Sequence, residues 1–395
     1  MTPNARYAAA IDVLDRILGG EPAEKTLTNW ARSNRYAGSK DRAAVRDIVF
    51  DCLRRKRSLM HLAGFETARG LVAGHILAAG GAVDAVFTGE RFAADGLSGD
   101  ERSCINLVKY TPGDAVRLDV PDWIEPKMRA ALGSDFEASL QALQNRAPLD
   151  LRVNSQKTTL LKAQQALAND GIETGPVNGV PAALRVTGNP RRVALSKAYL
   201  NGLVEIQDAG SQSVVNTVPL KGVTSVLDYC AGGGGKTLAM AATSDGQIKF
   251  DAYDKSKARM KDLPERAQRA GVSVQVMQGD PVQNTKTYDL VLLDVPCSGT
   301  GAWRRNPDGK WRFTEADLQD LLAVQENILT KGEKLVRNGG VLAYVTCSLL
   351  GEENEVQVER FLQTHNDWAE IDTKRFHPNA GTDGFFMALL KKQQL

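Results

Sequence analysis

From Ala8 to about Leu118 the apolar residues recur at helical spacing, first as Ala9, Val13 and Ile17 and then as Val45, Ile48, Val49, Cys52 and Leu53, with glycines and short polar breaks between blocks. A period near 3.6 residues predicts helices that share one core, so this stretch reads as a compact helical bundle. Its most apolar window, Gly70 to Phe87, contains His75, Gly80, Gly81 and Asp84 and reads as a buried helical pair rather than a membrane span. Between Tyr110 and Pro121 the pattern weakens, one further helix is expected from Glu125 to Asn145, and Pro148 marks a boundary.

Beyond Pro148 the pattern changes to short strand-like pieces, LDLRVN at 149–154, AALRV at 182–186 and LVEIQD at 203–208, around one helix from Leu160 to Asn169. From Thr224 onward, buried-strand runs alternate with helical blocks: SVLDYC then KTLAMAAT, IKFDAYD then SKARMKDL, SVQVMQGD, DLVLLD, a long helix opened by Thr314 and Asp317, and GVLAYVTCS. Such alternation predicts a parallel sheet covered by helices on both faces, with GFFMALLKK closing it as an antiparallel edge strand. The expected organisation is a helical domain at 1–145, a small α/β subdomain at 148–212 and an α/β sheet domain at 213–395.

At 395 residues, with 43% hydrophobic and 24% charged, the chain can bury more than one core. Lys and Arg number 49 against 47 Asp and Glu, a balance that excludes a histone-like electrostatic binder. Basic charge is local: residues 1–60 hold 12 Lys/Arg and 7 Asp/Glu, including the run Arg54, Arg55, Lys56, Arg57. That run is either a solvated helix face or a set of phosphate contacts. Five cysteines without CxxC or Cys/His spacing argue against a disulfide scaffold and against a metal site, and fit a reducing cytoplasm. The start breaks its apolar run with Asp12, Asp15 and Arg16 and does not read as a signal peptide.

In a parallel sheet, ligands bind at the carboxyl ends of the strands, and the unusual residues fall there. LDYCAGGGGKT at 227–237 is a strand running into four glycines and then a helix, a turn that lets backbone N–H groups approach a ligand. It is not a P-loop, which would need glycine where Cys230 stands, nor a dinucleotide fingerprint, which would need glycine at Thr237. Asp254 at the second strand end is placed to accept the hydroxyl protons of a ribose, and Asp280 at the third could meet an adenine amino group, so the three features together point to an adenosine-containing cofactor. The fourth strand ends in Asp294-Val-Pro-Cys297 and the last parallel strand in Val-Thr-Cys347, which brings two cysteines to one sheet edge on neighbouring strands. A thiolate beside a carbon-donating cofactor can add to C6 of a cytosine and make the otherwise inert C5 nucleophilic.

These motifs resemble the NOL1/NOP2/Sun family of S-adenosylmethionine-dependent RNA cytosine-5 methyltransferases, and more closely its bacterial RsmB-like branch, which carries an N-terminal NusB-like domain. The matching segments are LDYCAGGGGKT, Asp254, Asp280, DVPCSGTGAWRRNPDGKW and YVTCSLLGEENEVQVERFL, with RVN at 152–154 and EIQDAGSQ at 205–212 upstream and a looser NusB-like match at 6–66. The resemblance implies a Rossmann-like methyltransferase sheet, an all-helical NusB-like domain and a small α/β RNA-binding-like subdomain. It implies Cys347 as nucleophile, Cys297 as the thiol of product release, and cofactor contacts from Cys230, Ala231, Gly232, Gly233, Gly234, Gly235, Lys236, Asp254, Asp280 and Asp294, the last also as base or at the cytosine edge. It further implies substrate contacts from Arg304, Arg305, Lys310, Arg152 and Asn154, with ribosomal RNA of the small subunit as partner to a monomer away from any membrane.

One departure stands out. The family has Ala-Pro where this chain has Gly232-Gly233, and losing the proline costs up to about 1 kcal/mol in ordering the turn. That change is the one feature favouring an alternative, an RNA-binding or ribosome-assembly factor that keeps the methyltransferase fold with weak catalysis. A DNA cytosine-5 methyltransferase is opposed by Cys347, because in that class the Pro-Cys thiol attacks and no Thr-Cys partner is expected.

Overall fold

The computed structural model describes residues 1–107, 111–244 and 246–393; Tyr110, where the sequence pattern weakens, lies outside them. By internal contacts the chain forms two units. One comprises Met1–Arg129, Ser134–Arg146 and Trp303–Phe313, and the other Ala130–Gly133, Ala147–Ala302 and Thr314–Leu395.

The first unit is helical. Its opening helix, Pro3–Leu18, starts where the Thr2 hydroxyl accepts the Ala5 N–H and Pro3 takes the first turn, and it buries Ala9, Ala10, Val13, Leu14 and Ile17. These side chains share a core with Leu53, Leu59, Leu71 and Val72 from later helices. Helices Lys56–Ala63 and Ala68–Ala78 touch closely because Gly74 has no side chain, since a Cβ there would lie 2.1 Å from the Leu59 carbonyl oxygen. The apolar window 70–87 holds one α-helix and a 3-10 turn, Val83–Ala85, rather than a helical pair. Gly80, at φ +72°, turns the chain out after Ala78. The helix expected from Glu125 to Asn145 is likewise two, Glu125–Leu132 and Phe136–Leu143, parted at Gly133 with φ +51°.

In the second unit, β1 (Asp150–Val153), β2 (Thr174–Pro176), β3 (Ala183–Val186) and β4 (Val204–Ile206) form an antiparallel sheet in the order β2-β3-β1-β4. Helix Leu160–Asn169 closes its core with Ala163 and Leu167 against Leu151, Leu184 and Val204. The larger sheet contains β5 (Ser225–Asp228), β6 (Lys249–Ala252), β7 (Val274–Val276), β8 (Tyr288–Asp294), β9 (Val336–Thr346), β10 (Trp368–Phe376) and β11 (Phe385–Lys392). Its seven strands run in the order β10-β11-β9-β8-β5-β6-β7, with β5 to β9 parallel and β11 antiparallel to both of its neighbours, β9 and β10. β8 is buried along nearly its whole length, as a central strand covered on both faces must be.

The closing strand β11 is antiparallel, as its sequence predicts, but it is not the edge: β10 pairs outside it. β10 carries Glu370, Asp372 and Lys374 on a largely unburied strand, the polar dress of an edge, which hides it from a search for apolar runs. No helix among the described residues is long and apolar enough to cross a membrane.

Candidate active site

β5 lies between β6 and β8 at the point where the strand order reverses, and the glycine turn leaves from its carboxyl end. Tyr229 N–H donates to the Leu292 carbonyl of β8 and Ala231 N–H to the Tyr253 carbonyl beyond β6, so both neighbours fix the turn. Gly234 has φ +78°, and a Cβ there would fall 2.2 Å from Leu263, so both conformation and space demand glycine. Helix Gly235–Thr243 starts immediately after it.

Asp254 is buried, accepts the Gly232 N–H at 2.9 Å and the Ser256 N–H at 2.8 Å, and pairs with Arg259 at 3.1 Å. A carboxylate has about four acceptor sites, so with these three partners capacity for one ribose hydroxyl remains, and for a second if Arg259 turns away. Asp280 accepts the Tyr229 hydroxyl at 3.0 Å and the Lys331 amine at 3.1 Å. Burial would raise its carboxyl, but those bonds and the Val282 N–H outweigh it and hold it below the ordinary value. Lys236 donates to Asp294 at 2.7 Å; burial alone would lower its amine, and the Asp294 charge and hydrogen bond raise it above the usual lysine value. Behind the turn Asp228 accepts the Thr237 hydroxyl at 2.6 Å, while its Oδ1 is buried with no hydrogen-bond partner among the described residues. Carboxylates converging on one strand edge, with a buried acceptor in reserve, fit a cationic sulfonium cofactor that carries a ribose.

Asp294 ends β8 opposite Val345 of β9, and Val295 N–H donates to the Val345 carbonyl at 3.0 Å. The two following loops stay joined, Gly301 N–H donating to the Cys347 carbonyl at 2.9 Å. As a result, the Cys297 and Cys347 sulfurs lie 3.4 Å apart. The contact with Cys347, then burial, then the charges of Cys347 and Glu353 push the Cys297 thiol well above its ordinary value. Burial does the same to Cys230, which sits within the turn.

The family model for 16S rRNA methyltransferase RsmB/F matches residues 217–391, and that of the RsmF/B-like ferredoxin-like domain matches residues 120–193. Ribosomal RNA small subunit methyltransferase B of Serratia proteamaculans is 34% identical over 306 residues, which cover 74% of this chain and 71% of that protein. The probable ribosomal RNA small subunit methyltransferase B of Synechocystis sp. is 35% identical over 296 residues, 69% of this chain and 66% of that protein. The chain belongs to the ribosomal RNA small subunit methyltransferase B family. The crystal structure of PH0851, 24% identical, shares the fold, with a TM-score of 0.75 over 99% of each chain. Methyltransferases of this family use S-adenosylmethionine, the adenosine cofactor the strand-end residues fit.

Within this member of the methyltransferase B family, residues expected to touch substrate divide sharply. Arg304 is 3% and Lys310 4% exposed, while Arg305 lies on the surface. Lys310 donates to the Arg54 carbonyl at 2.8 Å, Arg54 to the Arg304 carbonyl at 2.8 Å, and Trp311 to the Leu53 carbonyl at 2.6 Å. The segment Trp303–Phe313 thus packs as part of the helical unit rather than with the sheet that surrounds it in sequence. Burial removes Arg304 and Lys310 from direct phosphate contact, and Arg305 alone of the three retains a surface for it. The basic run is similarly engaged: Arg54 is buried and bonded to Asp51, Arg57 pairs with Asp122 at 2.7 Å, and Lys56 lies over the Trp311 ring.

Arg152 and Asn154 are also buried, where direct RNA contact is closed to them. Arg152 donates to Gln207 at 2.7 Å, and burial lowers its guanidinium to about 10. Asn154 donates to the carbonyls of Gly202 and Ala270, tying the small sheet to the helix that precedes β7. Sequence reading missed Thr237, Arg266 and Glu353. Arg266 donates to the Gly233 carbonyl and so braces the turn that lacks the family's proline. Glu353 accepts from both cysteine loops. Its only signal in the sequence is the acidic run that follows Thr-Cys, which reads as solvated charge.

Proposed function

We propose that the chain methylates C5 of a cytosine in small-subunit ribosomal RNA through a covalent thiol adduct. The observation that carries this reading is the pair of sulfurs 3.4 Å apart at the ends of neighbouring parallel strands. S-adenosylmethionine, when bound at the glycine turn, supplies an electrophilic methyl group.

In this reading the Cys347 thiolate adds to C6 of the cytosine, and as N3 gains a proton the electron pair of the ring becomes available at C5. After C5 takes the methyl group it carries one hydrogen too many. Loss of that proton to a base, with Asp294 at the strand end as the candidate, returns the electron pair to the ring and expels the Cys347 sulfur, and N3 then gives back the proton it gained. Cys297, kept as a neutral thiol, can donate its S–H to that departing sulfur. Lys236 holds the Asp294 carboxylate against the cofactor edge of the sheet. RNA is the macromolecular partner in this reading, and the chain acts as a monomer in the cytoplasm.

Bisulfite sequencing of ribosomal RNA from cells with and without the gene tests the reading. One cytosine of the small-subunit RNA should lose its protection in the deletion and regain it on complementation. An unchanged protection pattern across that RNA would remove the proposal.

A further inference from the structure

Glu353 is fully buried on the short turn after β9, and its carboxylate joins the two cysteine loops. One oxygen accepts the Ser298 N–H at 2.8 Å and the Gln325 amide at 3.0 Å. The other accepts the hydroxyls of Ser298 and Ser348, the latter at 2.5 Å. Ser298 follows Cys297 directly, and Ser348 follows Cys347. We propose that Glu353 is a positioning residue that sets the separation of the two thiols by holding the residue next to each of them.

These four donors are neutral groups, and a carboxylate buried on such terms is expensive to keep unless its acceptor capacity is filled. Here it is filled by groups from both loops and by Gln325 of helix Glu315–Gly332, which also donates to the Pro296 carbonyl at 3.0 Å. The turn itself is fixed, since the Tyr344 hydroxyl donates to the Glu353 carbonyl at 2.7 Å. Other bonds join the loops without it: Gly301 N–H to the Cys347 carbonyl, Leu349 N–H to the Thr300 hydroxyl at 2.7 Å, and the Ser348 hydroxyl to those of Ser298 and Thr300, at 3.2 Å each. Removing the carboxylate therefore leaves the loops attached but takes the acceptor from the Ser298 N–H and the charged acceptor from both hydroxyls, so that Ser298, beside Cys297, is left to its weaker hydroxyl contacts. The adjustment needed is small, because a reacting group displaced by about 1 Å can cost about a hundredfold in rate.

The proposal rests on the methylation reading for its catalytic consequence only; the sulfur separation can be measured without it. Full-length protein is treated with dibromobimane, which bridges two nearby thiols, and the bridged peptide pair containing Cys297 and Cys347 is followed by mass spectrometry. Glu353→Ala should slow bridging on the order of tenfold and lower kcat on the order of a hundredfold with KM for the cofactor unchanged. Glu353→Gln keeps an acceptor for the Ser298 N–H and Gln325 and can donate to a serine hydroxyl, so it should restore both readouts to within a few-fold.

If Glu353→Ala does not fold, the double variant Ser298→Ala with Ser348→Ala leaves the carboxylate in place and should reproduce the slowed bridging. Bridging at the wild-type rate in either Ala variant overturns the proposal, as does a Gln variant as impaired as Ala, which would assign the effect to charge. A protein that bridges in a Glu353-dependent way yet methylates no RNA would count against the methylation reading and leave the positioning role standing.

Discussion

Lys236 and Asp294 meet at 2.7 Å and join the glycine turn after β5 to the strand end that leads into the first cysteine loop. The lysine is buried and the carboxylate is about one-third exposed, its side chain at 34%. Breaking a buried pair by removing one partner strands the other, and partial exposure of Asp294 softens that cost. Lys236→Met should therefore fold but bind S-adenosylmethionine on the order of tenfold more weakly, about 1.4 kcal/mol. Titration calorimetry checks this. Wild-type affinity in the variant would separate the pair from the cofactor site.

The two thiols should fail at different stages. If Cys347 attacks C6, Cys347→Ala loses both methyl transfer and any covalent protein–RNA species. If Cys297 assists expulsion of the sulfur, Cys297→Ala transfers methyl but accumulates the adduct, which denaturing gel electrophoresis resolves as a slow band. An adduct trapped by Cys347→Ala instead, with none formed by Cys297→Ala, would exchange the two roles.

Much of this site is legible in the sequence because strand-end chemistry is local. Asp254, Asp280, Asp294 and the two cysteines each close a recognisable apolar run, and the parallel order of the strands brings those ends to one edge. Glu353 escapes such reading because Glu352, Glu353 and Glu355 look alike in sequence, and only tertiary packing turns the middle one fully inward. Arg304 and Lys310 mislead for the opposite reason. A cluster of cations in a Gly/Pro-rich loop reads as surface, and nothing local reveals that Trp303–Phe313 packs with helices some 250 residues earlier in the chain, as the Arg54–Arg304 bond with its separation of 250 does.

That burial makes a prediction of its own. Lys310 donates to the Arg54 carbonyl and faces the charge of Asp119, and burial pulls its amine down to about 8. Asp119 is itself bonded to Ser58 and Gln144. Lys310→Met keeps the stem but leaves the carbonyl without this donor and Asp119 without its opposing charge, which should destabilise the protein by about 2–4 kcal/mol. Urea denaturation reads the loss. A variant of unchanged stability whose RNA binding has a flatter salt dependence would return Lys310 to the role of a phosphate contact.

Asp228 makes stability depend on pH near neutrality. Its side chain is buried, with one oxygen on the Thr237 hydroxyl and the other without a partner among the described residues. Burial raises the carboxyl to about 7; the charges of Asp294 and Asp254 add to the rise, and the Thr237 bond and Lys236 oppose it. In the unfolded chain an aspartate titrates near 3.9. Between about pH 4 and pH 7 the folded protein holds a proton that the unfolded chain has released, so this group's contribution is fully present below pH 4 and is lost as the pH rises through about 7. Asp228→Asn cannot ionise and keeps a hydrogen-bond acceptor for Thr237. The stability of the variant relative to wild type should therefore move in its favour from pH 4 to pH 8, by about 4 kcal/mol, at about 1.4 kcal/mol for each of the roughly three pH units between the unfolded and folded values. Urea denaturation of both proteins at several pH values gives that difference directly. A difference that stays flat across the interval would mean that Asp228 is already ionised in the folded protein at low pH, with its second oxygen stabilised in the native state.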